Sequence, residues 1–208
     1  MAIIAPFAEL FVYPKLVISV SPAETAKNII DNKTLIISAI FSYLLTFIGD
    51  IMVSWTLYIL LKPINKDLSL LTALFRLVFA VIGLVALLNL VTVLQLLTNQ
   101  DYLTLFGQSQ LNAQAMLYLK VFRSSYHFGV LFFSIHLVLL GYLVFMSNYI
   151  PKTMGVVLVI AGLGYLTDAL KPFLFPNFNS RFITITFFGE LIFMLWLLIE
   201  GSRIKEPN

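Results

Sequence analysis

Four ionisable side chains lie deep inside long apolar segments, and these residues are the ones that could do chemistry. Asp50, His136 and Glu190 each lie nine or more residues from the polar residues that bound their segments. Placing one such group near the middle of a bilayer costs about 2.5–3.5 kcal/mol, so each needs a partner or a water-filled cavity. Arg76 lies nine residues after Asp67, and its long side chain can reach the same level. The four residues therefore predict one polar layer inside a helical bundle.

This layer favours a polar pocket that binds a small solute, a lipid-like molecule or a proton. Intramembrane carboxylates and histidines are typical of proton relays, so transport is an extension of this hypothesis. The predicted pocket comprises residues from several segments: Asp50, Arg76, His136 and Glu190 line it, and Asn89 and His127 lie at its outer mouth.

Each of these residues also has a structural interpretation. Asp50 and Arg76 would then be an ion pair that holds two helices together, and Asn89 an amide that bridges helices. His127 would pack against its neighbours or anchor at the membrane interface. On this interpretation the protein is a structural or accessory membrane subunit, and a third hypothesis is an intramembrane enzyme that uses the carboxylates and a histidine as acid and base. Two peripheral residues, three apart in the sequence, are predicted to pair near the membrane surface: Asp168 and Lys171.

The chain has only two histidines, nine residues apart in FRSSYHFGVLFFSIHLVLLGY (122–142). Successive residues of a helix are about 100° apart, so His127 and His136 point to opposite faces of one helix. They cannot chelate one metal ion together, and the absence of cysteine excludes thiolate sites. The signatures HExxH, GxSxG and GxxxxGK[ST] are also absent. The sequence therefore predicts no metal and no cofactor, and it assigns no catalytic residue.

The elements that position these residues are membrane-spanning helices. Of the 208 residues, 60% are hydrophobic and 11% are charged, whereas soluble domains carry roughly a quarter charged residues. Segments that cross a hydrocarbon core of about 30 Å must be helical here, because the alternating strands of a barrel are absent. The sequence predicts an all-α polytopic bundle, a single domain over 1–208, with a partial span at 1–13 and full spans at 35–61, 68–97, 122–147, 153–172 and 181–200.

The connections between these spans alternate between long and short. SPAE at 21–24 has a capping-box pattern, which predicts a short surface helix that begins at the proline. The polar stretch 99–114 is predicted to be a long connection, whereas 62–67 and 147–152 are tight loops. The two tight loops share a side with the C-terminus. Their basic residues lie near the ends of the spans, which favours a cytoplasmic position for this side.

The charge pattern and the number of spans bear on the partners. The net charge of +3 is small and scattered, so nothing indicates nucleic-acid binding. The lipid bilayer is the expected partner, and a small-molecule ligand is the second. A homo-oligomer is the third, because the chain has few spans for a transporter and no internal repeat of the kind that transporters often show.

Several apolar motifs follow one another in order along the chain: ALFRLVFAVIGLVALLNL (73–90), YHFGVLFFSIHLVLLGYLVFMSNYIPKTMGVVLVIAGLGYLTD (126–168) and GELIFMLWLLIEG (189–201). This series resembles the small bacterial membrane proteins of the domain of unknown function 4386 family. The resemblance covers nearly the whole chain and implies a polytopic helical protein with about six spans in a bacterial cytoplasmic membrane. It implies no activity. Members of the family usually have a longer first span, so the start of this chain departs from the pattern, and the resemblance assigns no role to Glu9.

Overall fold

The computed structural model describes residues 7–174 and 188–201, and every regular element within these ranges is a helix. The all-α prediction is confirmed for this part of the chain. A short π-helix precedes eight α-helices, which are here numbered in chain order. The elements are π1 (Phe7–Val12), α1 (Tyr13–Leu16), α2 (Pro22–Asp31), α3 (Lys33–Leu61), α4 (Lys66–Thr98), α5 (Gln100–Leu105), α6 (Gln108–Met146), α7 (Lys152–Leu174) and α8 (Phe188–Glu200).

Four of these helices are long and apolar enough to cross a membrane: α3, α4, α6 and the part of α7 from Lys152 to Lys171. The shortest of them has 20 residues, which at about 1.5 Å per residue matches the thickness of the hydrocarbon core. They contain the predicted spans 35–61 and 68–97 and almost all of 122–147 and 153–172. Of the predicted span 181–200, residues 188–200 are helical and 181–187 lie outside the described residues. Of the partial span 1–13, residues 1–6 likewise lie outside them.

The connection predicted at 99–114 differs from the structure. It contains the short helix α5, and α6 begins at Gln108, fourteen residues before the predicted start of its span. The reason is a buried stripe on this first part of α6: Leu111, Ala115 and Leu119 follow each other at intervals of four residues and are at most 1% exposed. Such a stripe stabilises a helix through tertiary packing even where the residues between are polar. A transmembrane helix can therefore continue beyond the apolar segment that the sequence displays.

The predicted surface helix is confirmed as α2. Ser21 caps it, and its hydroxyl accepts a hydrogen bond from the backbone N–H of Glu24 at 3.4 Å. Thr25, one residue further along, is buried and exchanges two hydrogen bonds with the backbone of Ile18, at 2.9 and 3.0 Å. These bonds fix the turn by which the chain enters α2, because both backbone groups of Ile18 are satisfied there.

The chain divides into two compact units, the first formed by residues 1–49 and 81–126 and the second by 50–80 and 127–208. In the first unit an aromatic cluster fills the core. The ring of Tyr43 lies 5.2 Å from that of Phe122 and 6.3 Å from that of Phe47. Gly83 leaves room for Phe47, because a Cβ atom at that position would come within 2.2 Å of the ring. The expectation of one domain over 1–208 stays a prediction.

In the second unit, glycines let helices α6, α7 and α8 pack closely. A Cβ atom at Gly155 would lie 2.6 Å from the carbonyl oxygen of Gly141, so these two backbones are in direct contact. Gly162 packs in the same way against Val138, and Gly189 against Val157. Small residues at such contacts are how transmembrane helices approach each other without a hydrophobic driving force between them. This packing holds the helices that carry His136 and Glu190.

Candidate functional site

Arg76 lies at the centre of a polar cluster in the second unit. Its side chain is 7% exposed, and its Nε and Nη2 atoms both donate to Oδ1 of Asp50, at 3.0 and 2.5 Å. The Asp50 side chain is itself only 5% exposed. Charge-assisted hydrogen bonds of this kind are short and about twice as strong as neutral ones. The pair that the sequence suggested is therefore present and well shielded.

Two hydroxyl groups fix the helices that carry this ion pair. Ser54, one turn after Asp50 on α3, donates to the carbonyl oxygen of Ala73 on α4 at 2.7 Å. Further along, Ser69 on α4 donates to the carbonyl oxygen of Tyr58 on α3 at 3.0 Å. Both helices thus stay in one antiparallel register from the ion pair to the turn that joins them. Hydroxyl groups at helix contacts are a regular means of fixing helices inside a bilayer.

His136 accepts the next hydrogen bond from Arg76. The Nη1 atom of Arg76 lies 3.2 Å from Nε2 of His136, and Nδ1 of His136 lies 2.9 Å from the carbonyl oxygen of Thr72. Arginine has donors and no acceptor, and a carbonyl oxygen has acceptors and no donor. Nε2 must therefore carry the lone pair and Nδ1 the proton. The fully buried imidazole is a neutral ring held in a single tautomer.

Glu190 is the fourth member, and it is held less tightly. Its Oε1 lies 3.5 Å from Nη2 of Arg76, and its side chain is 32% exposed. Arg76 carries one positive charge, Asp50 and Glu190 carry one negative charge each when ionised, and His136 is neutral. The sum over the four residues is −1. One further proton or cation would make the cluster neutral.

An aromatic wall completes the surroundings of the cluster. The guanidinium carbon of Arg76 lies 5.3 Å from the centre of the Phe133 ring, a cation–π contact. The Phe133 ring also contacts the imidazole of His136, at 5.8 Å between ring centres, and the ring of Tyr165 edge-on at 5.5 Å. One ring therefore packs against both the cation and the imidazole and restricts their rotamers.

The remaining predicted site residues lie elsewhere. Asn89 is half-buried, and its amide donates to the carbonyl oxygen of Ala86 in its own helix at 2.9 Å. His127, Asp168 and Lys171 are half-buried. The described contacts bring together Asp50, Arg76, His136 and Glu190. The outer mouth at Asn89 and His127, and the pairing of Asp168 with Lys171, stay predictions.

A second polar cluster, in the first unit, was missed by the sequence analysis. The hydroxyl of Tyr43 donates to Oε1 of Glu9 at 2.7 Å, and Nη1 of Arg123 lies 3.6 Å from Oε2 of Glu9. The guanidinium carbon of Arg123 lies 4.9 Å from the centre of the Tyr13 ring. These contacts join the N-terminal segment to α3 and α6. The available signal was the pair of a carboxylate in the apolar N-terminal segment and an arginine at the start of the predicted span 122–147.

The described residues include no group placed to hold a metal ion, and the two described cavities lie away from the four-residue cluster. Over residues 7–174 and 188–201, no group of three His, Asp or Glu side chains is placed to hold a metal ion. Two cavities are described, of about 650 and 390 Å³, and none of the four cluster residues lines either of them. The larger lies between the loop that follows α6 and the end of α8, and the smaller between α1 and the start of α3.

The chain is similar to one protein family and to an archaeal protein. A family model described as a domain of unknown function (DUF4386) matches residues 1–201. An uncharacterised protein of Archaeoglobus fulgidus is 35% identical over 170 residues, which cover 82% of this chain and 88% of the relative. No solved structure matches the chain.

Proposed function

The chain belongs to the DUF4386 family, and from that premise we propose that it is a polytopic membrane protein that binds a proton at Glu190, inside its helical bundle. The observation that carries this proposal is the unequal sharing of one arginine between two carboxylates. Asp50 accepts two hydrogen bonds from Arg76, at 3.0 and 2.5 Å, whereas Glu190 lies 3.5 Å away and is more exposed. Glu190 is therefore the carboxylate that exchanges a proton.

The charge of the cluster gives the physical reason. With both carboxylates ionised, the four residues carry a net charge of −1, and an uncompensated charge in a low-dielectric interior is costly. His136 cannot relieve it while Arg76 donates to Nε2 and Thr72 accepts from Nδ1. A proton on Glu190 makes the cluster neutral without disturbing the Asp50 pair.

Among the three ligands considered, the proton needs the least space. A small solute or a lipid-like molecule would need a cavity beside the cluster, and the two described cavities are lined by other residues. A proton needs only a carboxylate oxygen and a path along which water or a polar group can deliver it. We place the end of such a path at the carboxyl group of Glu190, whose side chain is 32% exposed.

Infrared spectroscopy of the purified protein in lipid nanodiscs tests the proposal directly. A protonated carboxyl group has a carbonyl stretch that an ionised one lacks, so the difference between spectra in alkaline and acidic buffer should contain a band from Glu190. This band should be absent from the Glu190→Gln variant. It should be retained in Asp67→Asn, which removes an exposed carboxylate from the first turn of α4. A difference band unchanged by Glu190→Gln would overturn the proposal.

A structural or accessory role is the second candidate, and the buried ion pair favours it. Asp50 and Arg76 are only 5% and 7% exposed, and buried polar groups of this kind can fix the register of helices. A purely structural cluster would lose stability in the Glu190→Gln variant while the infrared titration stayed as in the unmodified protein. The two candidates are thus separated by one pair of measurements.

Transport of the proton extends the first candidate. Proteoliposomes that contain a pH-sensitive dye and an imposed potential would acidify or alkalinise faster than empty vesicles if the bound proton can leave on the opposite side. Glu190→Gln should remove this excess rate. Equal rates with and without protein would restrict the proposal to proton binding.

A further inference from the structure

The larger of the two described cavities lies in the second unit, and it has the chemistry of a binding site for an organic ammonium group. It has a volume of about 650 Å³ and is open to the surface. Its described lining includes two aromatic residues, Trp196 and Tyr149, and one charged residue, Glu200. Aromatic rings attract cations through their negative faces, and a carboxylate adds an ion pair. Organic ammonium ions are recognised by this combination.

The lining residues are held in place before any ligand binds. The hydroxyl of Tyr149 donates to the carbonyl oxygen of Leu60 at the end of α3. The buried hydroxyl of Ser147 accepts from the backbone N–H of Ile150 at 3.2 Å, which closes the loop on itself. Trp196 and Glu200 lie four residues apart in α8, so they share one face of that helix. A preformed site loses little conformational entropy when it is filled.

The position of the cavity identifies the source of the ammonium group. The loop of residues 147–151 joins α6 to α7, two helices able to cross a membrane. Irregular backbone exposed to lipid does not occur within the hydrocarbon region, so this loop lies at the level of the headgroups. Leu198 and Ile199, on the same helix as Glu200, are 73% and 67% exposed and offer an apolar surface for acyl chains.

We infer that this cavity binds the ammonium headgroup of a membrane lipid, with Trp196 and Tyr149 around the cation and Glu200 as its counter-ion. The site is separate from the buried cluster. Glu200 lies ten residues after Glu190 in α8, a rise of about 15 Å along the helix. A lipid held here would contact both α8 and the loop between α6 and α7.

Tryptophan fluorescence offers a test, because the chain has only two tryptophans, Trp55 and Trp196. Trp55 is 66% exposed, so the Trp55→Phe variant should fold and leave Trp196 as the single reporter. This variant, purified in detergent, is titrated with short-chain phosphatidylethanolamine, with phosphatidylglycerol of the same chain length, and with free ethanolamine. We expect a saturable change in emission with phosphatidylethanolamine alone.

Two further variants in this background complete the design. Glu200→Gln should raise the half-saturating concentration of phosphatidylethanolamine about tenfold, as expected for the loss of one partly desolvated charge pair. Asp67→Asn, which removes a carboxylate that does not line the cavity, should leave it unchanged. Equal responses to both lipids, an equal response to free ethanolamine, or an unchanged response in Glu200→Gln would each overturn the inference.

Discussion

Arg76 has donors on three nitrogen atoms, and each satisfies a different requirement of the residues around it. Nε and Nη2 donate to Asp50, and Nη2 also lies near Glu190. Nη1 donates to His136 and fixes its tautomer. Lysine could not replace it, because an ammonium group lacks the planar fork that spans these partners. The residue whose loss should disturb the cluster most is therefore the cation and not either carboxylate.

Replacement of Arg76 by methionine should destabilise the protein strongly. Asp50 would keep its buried position and lose its counter-ion, and breaking a buried pair from one side typically costs about 3–5 kcal/mol. Arg123→Met is the matched control, because Arg123 is 48% exposed and its contact with Glu9 is 3.6 Å, so its loss should cost about 1 kcal/mol or less. Unfolding of both variants in mixed micelles, followed by circular dichroism, measures the difference.

The double variant Arg76→Met, Asp50→Asn separates the unpaired charge from lost packing. If the uncompensated carboxylate causes most of the destabilisation, the double variant should be more stable than Arg76→Met alone. A double variant no more stable than the single one would mean that the cost comes from packing around Phe133 instead.

The protonation state of His136 gives a second prediction at the residue scale. In the His127→Asn variant, His136 is the single histidine of the chain. Its hydrogen bonds to Arg76 and Thr72 require a neutral ring with the proton on Nδ1. Nitrogen NMR of the variant labelled at histidine should show one protonated and one unprotonated nitrogen at neutral pH. A ring with both nitrogens protonated, or with the proton on Nε2, would contradict this arrangement.

At the scale of elements, the direct contact between α6 and α7 should be the most sensitive to an added methyl group. A Cβ atom at Gly155 would lie 2.6 Å from the backbone oxygen of Gly141, which cannot rotate away as a side chain can. Gly155→Ala should therefore force the helices apart and cost about 1–3 kcal/mol, the range for overpacking. Thermal unfolding in micelles measures it.

Gly201→Ala is the matched control for that substitution. A Cβ atom at Gly201 meets no atom of the described residues within 4 Å, so the same chemical change should leave the stability nearly unaltered. Equal stability of Gly155→Ala and Gly201→Ala would show that the two helices can separate without loss, and that the close contact contributes little.

The sequence predicts the depth of a residue in the membrane better than the direction in which its side chain points. Counting residues from the ends of an apolar segment gives a depth along the helix axis, and depth was enough to bring Asp50, Arg76, His136 and Glu190 into one layer. It gives no rotation about the axis and no partner on another helix. The residue types suggested the Asp50–Arg76 pair as one of two interpretations, whereas the difference between the close contact of Asp50 and the looser contact of Glu190 with this arginine emerged from the distances in the structure.

The four long apolar helices were predictable for a similar reason, since hydrocarbon thickness fixes a minimum apolar length. The start of α6 was not, because residues 108–121 are helical through burial of Leu111, Ala115 and Leu119 and not through uniform hydrophobicity. Glu9 was missed because its partners, Tyr43 and Arg123, lie 34 and 114 residues away in the chain. Contacts at such separations have no signature in local pattern.

At the scale of the whole molecule, four described helices are long and apolar enough to cross a membrane, and if each crosses in turn, their connecting loops must alternate between its two sides. Residues 62–65 join the first two of these helices, 99–107 the second and third, and 147–151 the third and fourth. The first and last of these loops should lie on one side and the middle one on the other. The basic residues beside the first and last loops favour the cytoplasm for them.

The absence of cysteine from the natural sequence makes this topology directly testable. The single-cysteine variants Lys62→Cys, Ser109→Cys and Asn148→Cys each place a thiol at an exposed position. A maleimide that cannot cross membranes should label Ser109→Cys in intact cells, and the other two only after the cells are permeabilised. If Lys62→Cys and Asn148→Cys are labelled in intact cells and Ser109→Cys is not, the loops still alternate between the two sides, but the orientation in the membrane is reversed. Labelling of 62 and 109 from the same side would mean that α4 does not cross, and Arg76 would then not lie within the bilayer at all.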